Sequence, residues 1–172
     1  RKQAGTLKPT DYVVKTIVTT ELIKSIADKN QVKMFDCYTG FKWIADVIRK
    51  NEGKMQYIGG GEESYGYLRE DFIRDKNSVS ACAMFCEMAA WALDKGLTVY
   101  QLLQQIYLEY GLYKEQGVSV VRKGKSGAEE IEAMMKQFRE NPLQSLAGSP
   151  VTEVLDYAKL EGKWLDKGES FK

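Results

Sequence analysis

The chain has 172 residues, of which 44% are hydrophobic and 28% are charged, a composition that is ordinary for a globular protein with one sizeable core. A formal net charge of +1 gives no electrostatic reason to expect nucleic acid or a membrane surface as a partner. No apolar run approaches the ~20 residues that a membrane-spanning helix needs, and no signal peptide is visible.

The cysteine and histidine counts restrict the chemistry further. The three cysteines, Cys37, Cys82 and Cys86, argue against a disulfide framework and favour a reducing cytoplasm. Histidine is absent, so the commonest general base at neutral pH and the usual partner of a serine or cysteine nucleophile are both missing. A zinc site at Cys82 and Cys86 would therefore lack its usual further ligands. We expect the chain to act by binding, with the reactive groups elsewhere.

The first third of the chain predicts alternating strands and helices after a polar lead-in, residues 1–10. One helix follows Thr20, and a second follows the Thr39–Gly40 junction. The third strand is expected to run into a glycine loop, followed by a charged loop that ends near Lys76. The three strands are rich in β-branched and apolar residues and cover Asp11–Thr19, Val32–Tyr38 and Met55–Ile58.

Two long helices are predicted in the middle of the chain. The first begins near Asn77 and ends at Gly96, and the second opens with a capping box of Thr98 and Gln101 and ends at Gly111. Apolar residues at helical spacing, on the first of these helices and on one later in the chain, are interpreted as core faces. They are Met84, Phe85, Met88 and Trp91, and then Ile131, Met134, Met135 and Phe138.

The last third of the chain predicts a strand, a helix and a further strand. The first strand is expected around Val118–Val121. Ser126 and Glu129 predict a second capping box, for a helix that ends at Asn141–Pro142. Val151–Tyr157 has the pattern of one more strand, and residues 162–172 are polar without a clear period.

The order of these elements indicates an α/β fold, namely a layered α/β/α domain with a mixed, partly parallel sheet of about four strands. Ligands of such sheets bind beyond the carboxyl ends of the strands. The two loops expected there are residues 37–41 and residues 59–76. The two loops can therefore form one site.

The segment Gly59–Gly66 carries the most chemical information. Its three consecutive glycines permit a sharp turn and a close approach to a ligand, and Glu62, Glu63 and Ser64 then present hydrogen-bonding oxygens. The segment fits neither a P-loop nor a G-x-G-x-x-G fingerprint, because it lacks their lysine or their spacing and places negative charge where a phosphate would lie. The residues alone leave two interpretations open, a polyol-binding loop and an exposed acidic turn.

The charged stretch Arg69–Lys76 also has two interpretations. It is either a solvated loop with internal ion pairs, or a source of one cation, at Arg74 or Lys76, for a phosphate on the ligand. Together with the acidic loop, the second interpretation would suit a phosphosugar.

Four segments of the chain carry a family pattern: Lys15–Thr20 (KTIVTT), Thr39–Ile44 (TGFKWI), Gly61–Gly66 (GEESYG) and Ile73–Lys76 (IRDK). In this order they resemble the α-D-phosphohexomutases, the phosphoglucomutase/phosphomannomutase superfamily, and specifically domain 3 of its phosphoglucomutase branch. Arg139–Pro142 and Val154–Tyr157 resemble the same branch. The serine loop, the DGDGDR-type loop and the RxSGTEP-type loop of the other family domains have no match here, so the resemblance implies a fragment of a longer enzyme.

The resemblance implies domain limits and an activity. Residues 11–157 would be the sugar-binding domain 3, and residues 158–172 would begin the linker to a missing domain 4. The full-length enzyme would be an isomerase, an intramolecular phosphotransferase that interconverts hexose 1-phosphate and 6-phosphate through a hexose bisphosphate intermediate. Its Mg²⁺ would be bound outside this chain. The chain would hold no catalytic residue and would be inactive alone.

The resemblance also assigns roles by position. Glu62 and Ser64 would contact ring hydroxyls, while Glu63 would point away and support the loop. Gly61, Thr39 and Gly40 would line the pocket, and Lys76 would be a ligand-facing cation. The implied partners are a phosphohexose substrate and other domains of the same polypeptide, in the cytoplasm, with no nucleic acid and no membrane. The alternative is a non-catalytic module on the same fold that binds a carbohydrate or a protein.

Overall fold

The computed structural model describes residues 1–2, 4–115, 117 and 119–171. The chain divides into two compact units, residues 1–116 and residues 117–172. The first unit contains β1 (Asp11–Thr16), α1 (Leu22–Lys29), β2 (Lys33–Cys37), α2 (Phe41–Asn51), β3 (Gln56–Glu62), β4 (Gly66–Leu68), α3 (Ser78–Asp94) and α4 (Val99–Tyr110). The second contains α5 (Gly124–Glu140), β5 (Ser145–Leu146), β6 (Ser149–Pro150), β7 (Glu153–Asp156), β8 (Glu161–Trp164) and β9 (Glu169–Phe171).

One mixed sheet organises the first unit, with the strand order β2-β1-β3-β4. Strand β1 pairs in parallel with both β2 and β3, and β4 pairs antiparallel with β3. Parallel neighbours need crossover connections, which α1 and α2 supply. Strand β1 is the most continuously buried strand, as its run of apolar and β-branched residues predicts for a central position. The predicted α/β class and the mixed sheet of four strands are confirmed.

The main core lies between this sheet and α2. Tyr12, Val14, Tyr57 and Leu68 point from the strands towards the buried residues Phe41, Ile44 and Ile48 of the helix. These three positions repeat every three or four residues, so they form one stripe of the helix. An apolar cavity of about 290 Å³ is lined by Val13 and Ile58 of the strands and by Ile23 and Ile26 of α1. The two helices are therefore the crossovers that fix the sheet, and through it the carboxyl ends of its strands.

Several helix boundaries follow the capping residues. The Asn77 side chain accepts a hydrogen bond from the Ser80 N–H at the start of α3, and Thr98 and Gln101 form the predicted capping box of α4. The second predicted box is wrong, because α5 already begins at Gly124 and Ser126 lies inside the helix. A capping residue needs an extended backbone, and Lys123 has that conformation at this helix.

The strands of the last third differ from the prediction. Val118 lies outside the described residues, and Ser119–Val121 form no strand. Val120 and Val121 are exposed, so their β propensity has no packing partner. The strand predicted at Val151–Tyr157 is confirmed as β7, which pairs antiparallel with β8, and β8 with β9. Strands β8 and β9 were not predicted, because their segment is polar and shows no alternation of apolar and polar residues.

The apolar faces assigned to the core on α3 and α5 are only partly covered. Met84 and Met88 of α3 and Met134 of α5 are half-buried. Phe85 and Trp91 on α3 are exposed, as are Ile131, Met135 and Phe138 on α5. An apolar stripe predicts that a face seeks cover, but not that another element supplies it. No helix among the described residues is long and apolar enough to cross a lipid bilayer.

Candidate functional site

The predicted site residues follow the carboxyl ends of neighbouring strands. Thr39 and Gly40 follow β2, and Ser64 follows β3, with β1 between the two strands. Two strand spacings separate their ends by about 10 Å. The two loops therefore lie on either side of the end of β1.

The three glycines lie inside β3 instead of in a loop, so the expected glycine turn is wrong. Gly60 and Gly61 pair with Val14 and Lys15 of β1, and Gly61 also pairs with Tyr67 of β4. A Cβ on Gly60 would collide with the carbonyl oxygen of Val14. The glycines therefore permit close packing of strands, and the turn begins later, at Glu63.

The Glu62 carboxylate is nearly buried beside a cation. Its side chain is 6% exposed, and its Oε1 accepts a hydrogen bond of 2.8 Å from the Lys76 Nζ, whose side chain is 53% exposed. This hydrogen bond raises the pKa of Lys76. The carboxylate lies across Gly66, where a Cβ would be 2.5 Å from Oε1. The structure thus brings two predicted site residues, Glu62 and Lys76, together.

Ser64 and Glu63 form the exposed turn between β3 and β4. Glu63 Oε2 accepts hydrogen bonds from the hydroxyls of Thr16 at 2.9 Å and Thr19 at 3.4 Å, and the Ser64 hydroxyl lies 3.4 Å from Glu63 Oε1. Burial opposes ionisation, but the backbone N–H of Glu63 and these three hydroxyls lower the pKa of Glu63. Glu63 therefore ties the turn to the end of β1, which agrees with a loop-supporting role.

A second cluster, not found from the sequence, lies at the end of β1. The fully buried Lys15 Nζ contacts Glu21 Oε1 at 2.7 Å and Asp36 Oδ1 at 2.8 Å, and we call these three residues the basal cluster. Burial would lower the pKa of Lys15, but hydrogen bonds and charges from Asp36 and Glu21 raise it. The only sequence signal was a lysine inside an apolar strand. The cluster joins β1, β2 and the residue before α1.

Cys37, the last residue of β2, lies near charged residues of three strands. Burial raises the pKa of its thiol to about 11, with further increases from Asp36 and Glu62 and an opposing effect of Lys15. The Sγ lies 3.6 Å from the Lys15 carbonyl oxygen, to which it donates. A thiol with such a pKa is protonated at neutral pH and is no nucleophile.

The structure gives the other predicted residues, Thr39, Gly40 and Arg74, different surroundings. Thr39 is exposed, and Gly40 is the N-cap residue of α2. Arg74, one of the two candidate cations, pairs with Glu52 beyond the end of α2 at 2.9 Å instead of with Glu62. Lys76 is thus the candidate cation that the structure places in the site.

The arrangement offers oxygen acceptors, a hydroxyl and a cation at one edge of the sheet. Within the described parts of the chain, no group of three or more acidic, cysteine or histidine side chains is placed to hold a metal ion. The Glu62 carboxylate can accept hydrogen bonds from ligand hydroxyls, and Lys76 can attract a negatively charged group. This chemistry suits a polyol that carries a phosphate.

Several known proteins are similar to this chain in sequence. A family model described as phosphoglucomutase/phosphomannomutase, alpha/beta/alpha domain III, matches residues 1–110. The chain is 37% identical over 155 residues to a phosphoglucomutase of Staphylococcus aureus (strain N315), and 34% identical over 149 residues to one of Staphylococcus haemolyticus (strain JCSC1435). These alignments cover 90% and 87% of this chain, but only 28% and 27% of the two relatives. The chain thus spans less than a third of their length.

A solved structure shares the fold. The crystal structure of a Thermus thermophilus protein, provisionally named a phosphomannomutase, matches with a TM-score of 0.51 and 21% sequence identity. The match covers 59% of this chain and 22% of that protein. At this identity the likeness concerns the fold alone.

Proposed function

Because the chain belongs to the phosphoglucomutase/phosphomannomutase family, as its alpha/beta/alpha domain III, we propose that it is the sugar-binding domain of a hexose phosphate mutase. The longer polypeptide interconverts hexose 1-phosphate and hexose 6-phosphate, and this chain holds the sugar. The observation that carries the proposal is the pair of Glu62 and Lys76, a nearly buried carboxylate and an exposed ammonium 2.8 Å apart at the end of β3.

Each residue of the site has a task in this proposal. The Glu62 carboxylate accepts hydrogen bonds from adjacent ring hydroxyls, and the Ser64 hydroxyl can donate and accept. Lys76 moves from Glu62 towards the phosphate, while Gly61, Thr39 and Gly40 line the pocket. Contacts near the middle of the ring serve a bisphosphate in both of its orientations, which a mutase reaction requires.

We place the nucleophilic serine and the Mg²⁺ site in other domains of the same polypeptide. Supporting this, the chain spans only 28% of a phosphoglucomutase to which it is similar, so other domains of the same polypeptide can hold these groups. Phosphoryl transfer depends mainly on positioning and electrostatics, so a domain that only binds can control the rate. The chain alone is inactive in this proposal. It forms domain 3 over residues 11–157, with a linker beginning at 158, and the free thiols fit a cytoplasmic enzyme.

Replacing Glu62 by glutamine in the full-length polypeptide tests the proposal. We expect kcat/KM for glucose 1-phosphate to fall about 10- to 100-fold, because a charge-assisted hydrogen bond is worth roughly 1.5–3 kcal/mol. Phosphorylation of the serine should survive. Glu52→Gln is the matched control, since Glu52 also pairs with a cation but is well exposed, and it should leave kcat/KM within about twofold.

Wild-type kcat/KM in the Glu62→Gln enzyme would refute the sugar-binding role. Mutase activity of this chain alone, free of contaminating enzyme, would refute the placement of the nucleophile. The parent gene separates the mutase from a non-catalytic module, because only the mutase requires a serine loop and a DGDGDR-type loop in the same polypeptide.

A further inference from the structure

Tyr65 has an unusual conformation for its residue type. The β3–β4 hairpin pairs Glu62 with Gly66, so three residues, Glu63, Ser64 and Tyr65, form its loop. The third residue of such a loop commonly adopts the left-handed conformation, and glycine is the usual choice there. Tyr65 has φ of 65° at this position, which is strained for an aromatic residue.

Packing gives no reason for a tyrosine here. The Tyr65 side chain is fully exposed, with a relative accessibility of 103%. The neighbouring glycine serves a different purpose, because a Cβ on Gly66 would lie 2.5 Å from Oε1 and 2.6 Å from Cγ of Glu62. Folding alone would therefore favour glycine at both positions. A strained residue that packs against nothing is a candidate for a functional contact.

The position of Tyr65 in the hairpin suggests a ligand for its ring. It directly follows Ser64 and directly precedes Gly66, across which the Glu62 carboxylate lies. Its Cα is therefore ~3.8 Å from the Cα of each neighbour. A hexose is amphipathic, with hydroxyls at its rim and C–H groups on its ring faces. The negative face of an aromatic ring attracts such C–H groups, and tyrosine offers this area with few rotatable bonds.

We propose that Tyr65 is a further substrate-contacting residue, whose ring packs against a C–H face of the hexose held by Glu62 and Ser64. The inference rests on the proposed function and deepens it. The site then has three parts with separate chemistry. Glu62 and Ser64 bind hydroxyls, Lys76 binds phosphate, and Tyr65 covers an apolar face of the sugar.

The test is a titration of the 172-residue chain, followed by amide chemical shifts in NMR. The probes are glucose 1-phosphate, glucose 6-phosphate and inorganic phosphate. Tyr65→Gly should weaken both sugar phosphates about 3- to 10-fold. It should leave inorganic phosphate unchanged, because that ion has no C–H face. The same variant should melt about 2–4 °C higher, since it relieves the strained backbone.

Two variants serve as controls. Tyr65→Phe keeps the ring and should bind both sugar phosphates within about twofold of wild type. Tyr100→Ala removes another exposed tyrosine, in the first turn of α4, and should not alter binding. A raised melting temperature with weakened sugar binding would show that Tyr65 does not act by stabilising the fold, and unchanged binding in Tyr65→Phe would assign the effect to the ring.

The outcomes distinguish a failure of the Tyr65 proposal from a failure of the proposed sugar-binding function. Unchanged sugar binding in Tyr65→Gly, with binding lost in Glu62→Gln, overturns the role of Tyr65 and leaves the sugar site intact. Equal weakening of sugar phosphates and inorganic phosphate by Tyr65→Gly also overturns it, because the effect would then be general. A wild-type chain that binds neither sugar phosphate overturns the proposed function and this inference with it.

Discussion

The basal cluster and the hairpin tip, residues Glu62–Gly66, both hold a carboxylate paired with a lysine, but the burial of the two partners is opposite. In the basal cluster the cation Lys15 is fully buried and its two carboxylates are about half exposed. At the tip the Glu62 carboxylate is nearly buried and its partner Lys76 is half exposed. A buried lysine cannot leave its partners without a large desolvation cost, whereas an exposed lysine can exchange one anion for another. The same charge pair thus holds strands together in the basal cluster, whereas at the hairpin tip it is, in the proposed function, part of a ligand site.

The largest expected effect comes from removing both partners of the buried cation. The double variant Glu21→Gln/Asp36→Asn leaves Lys15 buried and uncompensated, so we expect a loss of ~3–5 kcal/mol in the free energy of unfolding, measured by urea denaturation. Adding Lys15→Met should restore most of the loss. An unchanged free energy in the double variant would contradict the assignment. Glu130→Gln, at an exposed pair with Arg122, should cost at most ~1 kcal/mol.

Alanine substitutions at Gly60 and Gly66 should have effects of intermediate size that differ from each other. The Cβ of Gly60→Ala meets the backbone of Val14 in the neighbouring strand, so we expect a loss of ~1–3 kcal/mol in unfolding free energy. The Cβ of Gly66→Ala meets the Glu62 side chain, which can move, so stability should fall less. Binding of glucose 1-phosphate should nevertheless weaken in Gly66→Ala, as the carboxylate is displaced. Equal losses of unfolding free energy in the two variants, measured by urea denaturation, would contradict this expected difference.

The smallest effect concerns the link between the tip and β1. The pKa of Glu63 is lowered in the folded chain, so its ionised form stabilises the fold. That stability is present above the unfolded pKa, near 4.5, and is lost as the pH falls through the folded pKa. Compared with Glu63→Gln, the wild type should be more stable at pH 6 by less than ~1 kcal/mol. The difference should shrink as the pH falls through the folded pKa and vanish below it.

Thermal unfolding between pH 3 and pH 6 measures this difference. Glu132→Gln, at an exposed carboxylate of α5, is the control and should change little across the range. A Glu63→Gln chain that matches the wild type at pH 6 would show that the three hydroxyls do not stabilise the Glu63 charge.

Much of the fold was predictable because it depends on neighbours in the sequence. The alternation of apolar strands with helices indicated the α/β class, and the caps at Asn77 and Thr98 fixed the starts of two helices. The segment Gly61–Gly66 marked the edge of the sheet where the candidate site lies. The capping box at Ser126 failed for the same local reason, since an extended backbone at Lys123 started the helix earlier.

The sequence predicted which residues belong to the candidate site, but not which of them contact one another. Glu62, Ser64 and Lys76 were named from the sequence, whereas the ion pair between Glu62 and Lys76 joins residues fourteen positions apart. The roles of Thr16 and Thr19 as partners of Glu63 were missed, because a threonine at the end of a strand has no distinctive pattern.

The sequence by itself determined the class of the fold, the strand ends that carry the site and the residue types available there. These are properties of short segments, set by local propensity, capping and periodicity. The tertiary structure decided that the three glycines lie in β3, that Lys15 is buried between Glu21 and Asp36, and that Phe85 and Trp91 of α3 stay exposed. Each of these depends on which elements become neighbours, and the strand order β2-β1-β3-β4 is fixed only when distant segments pack together.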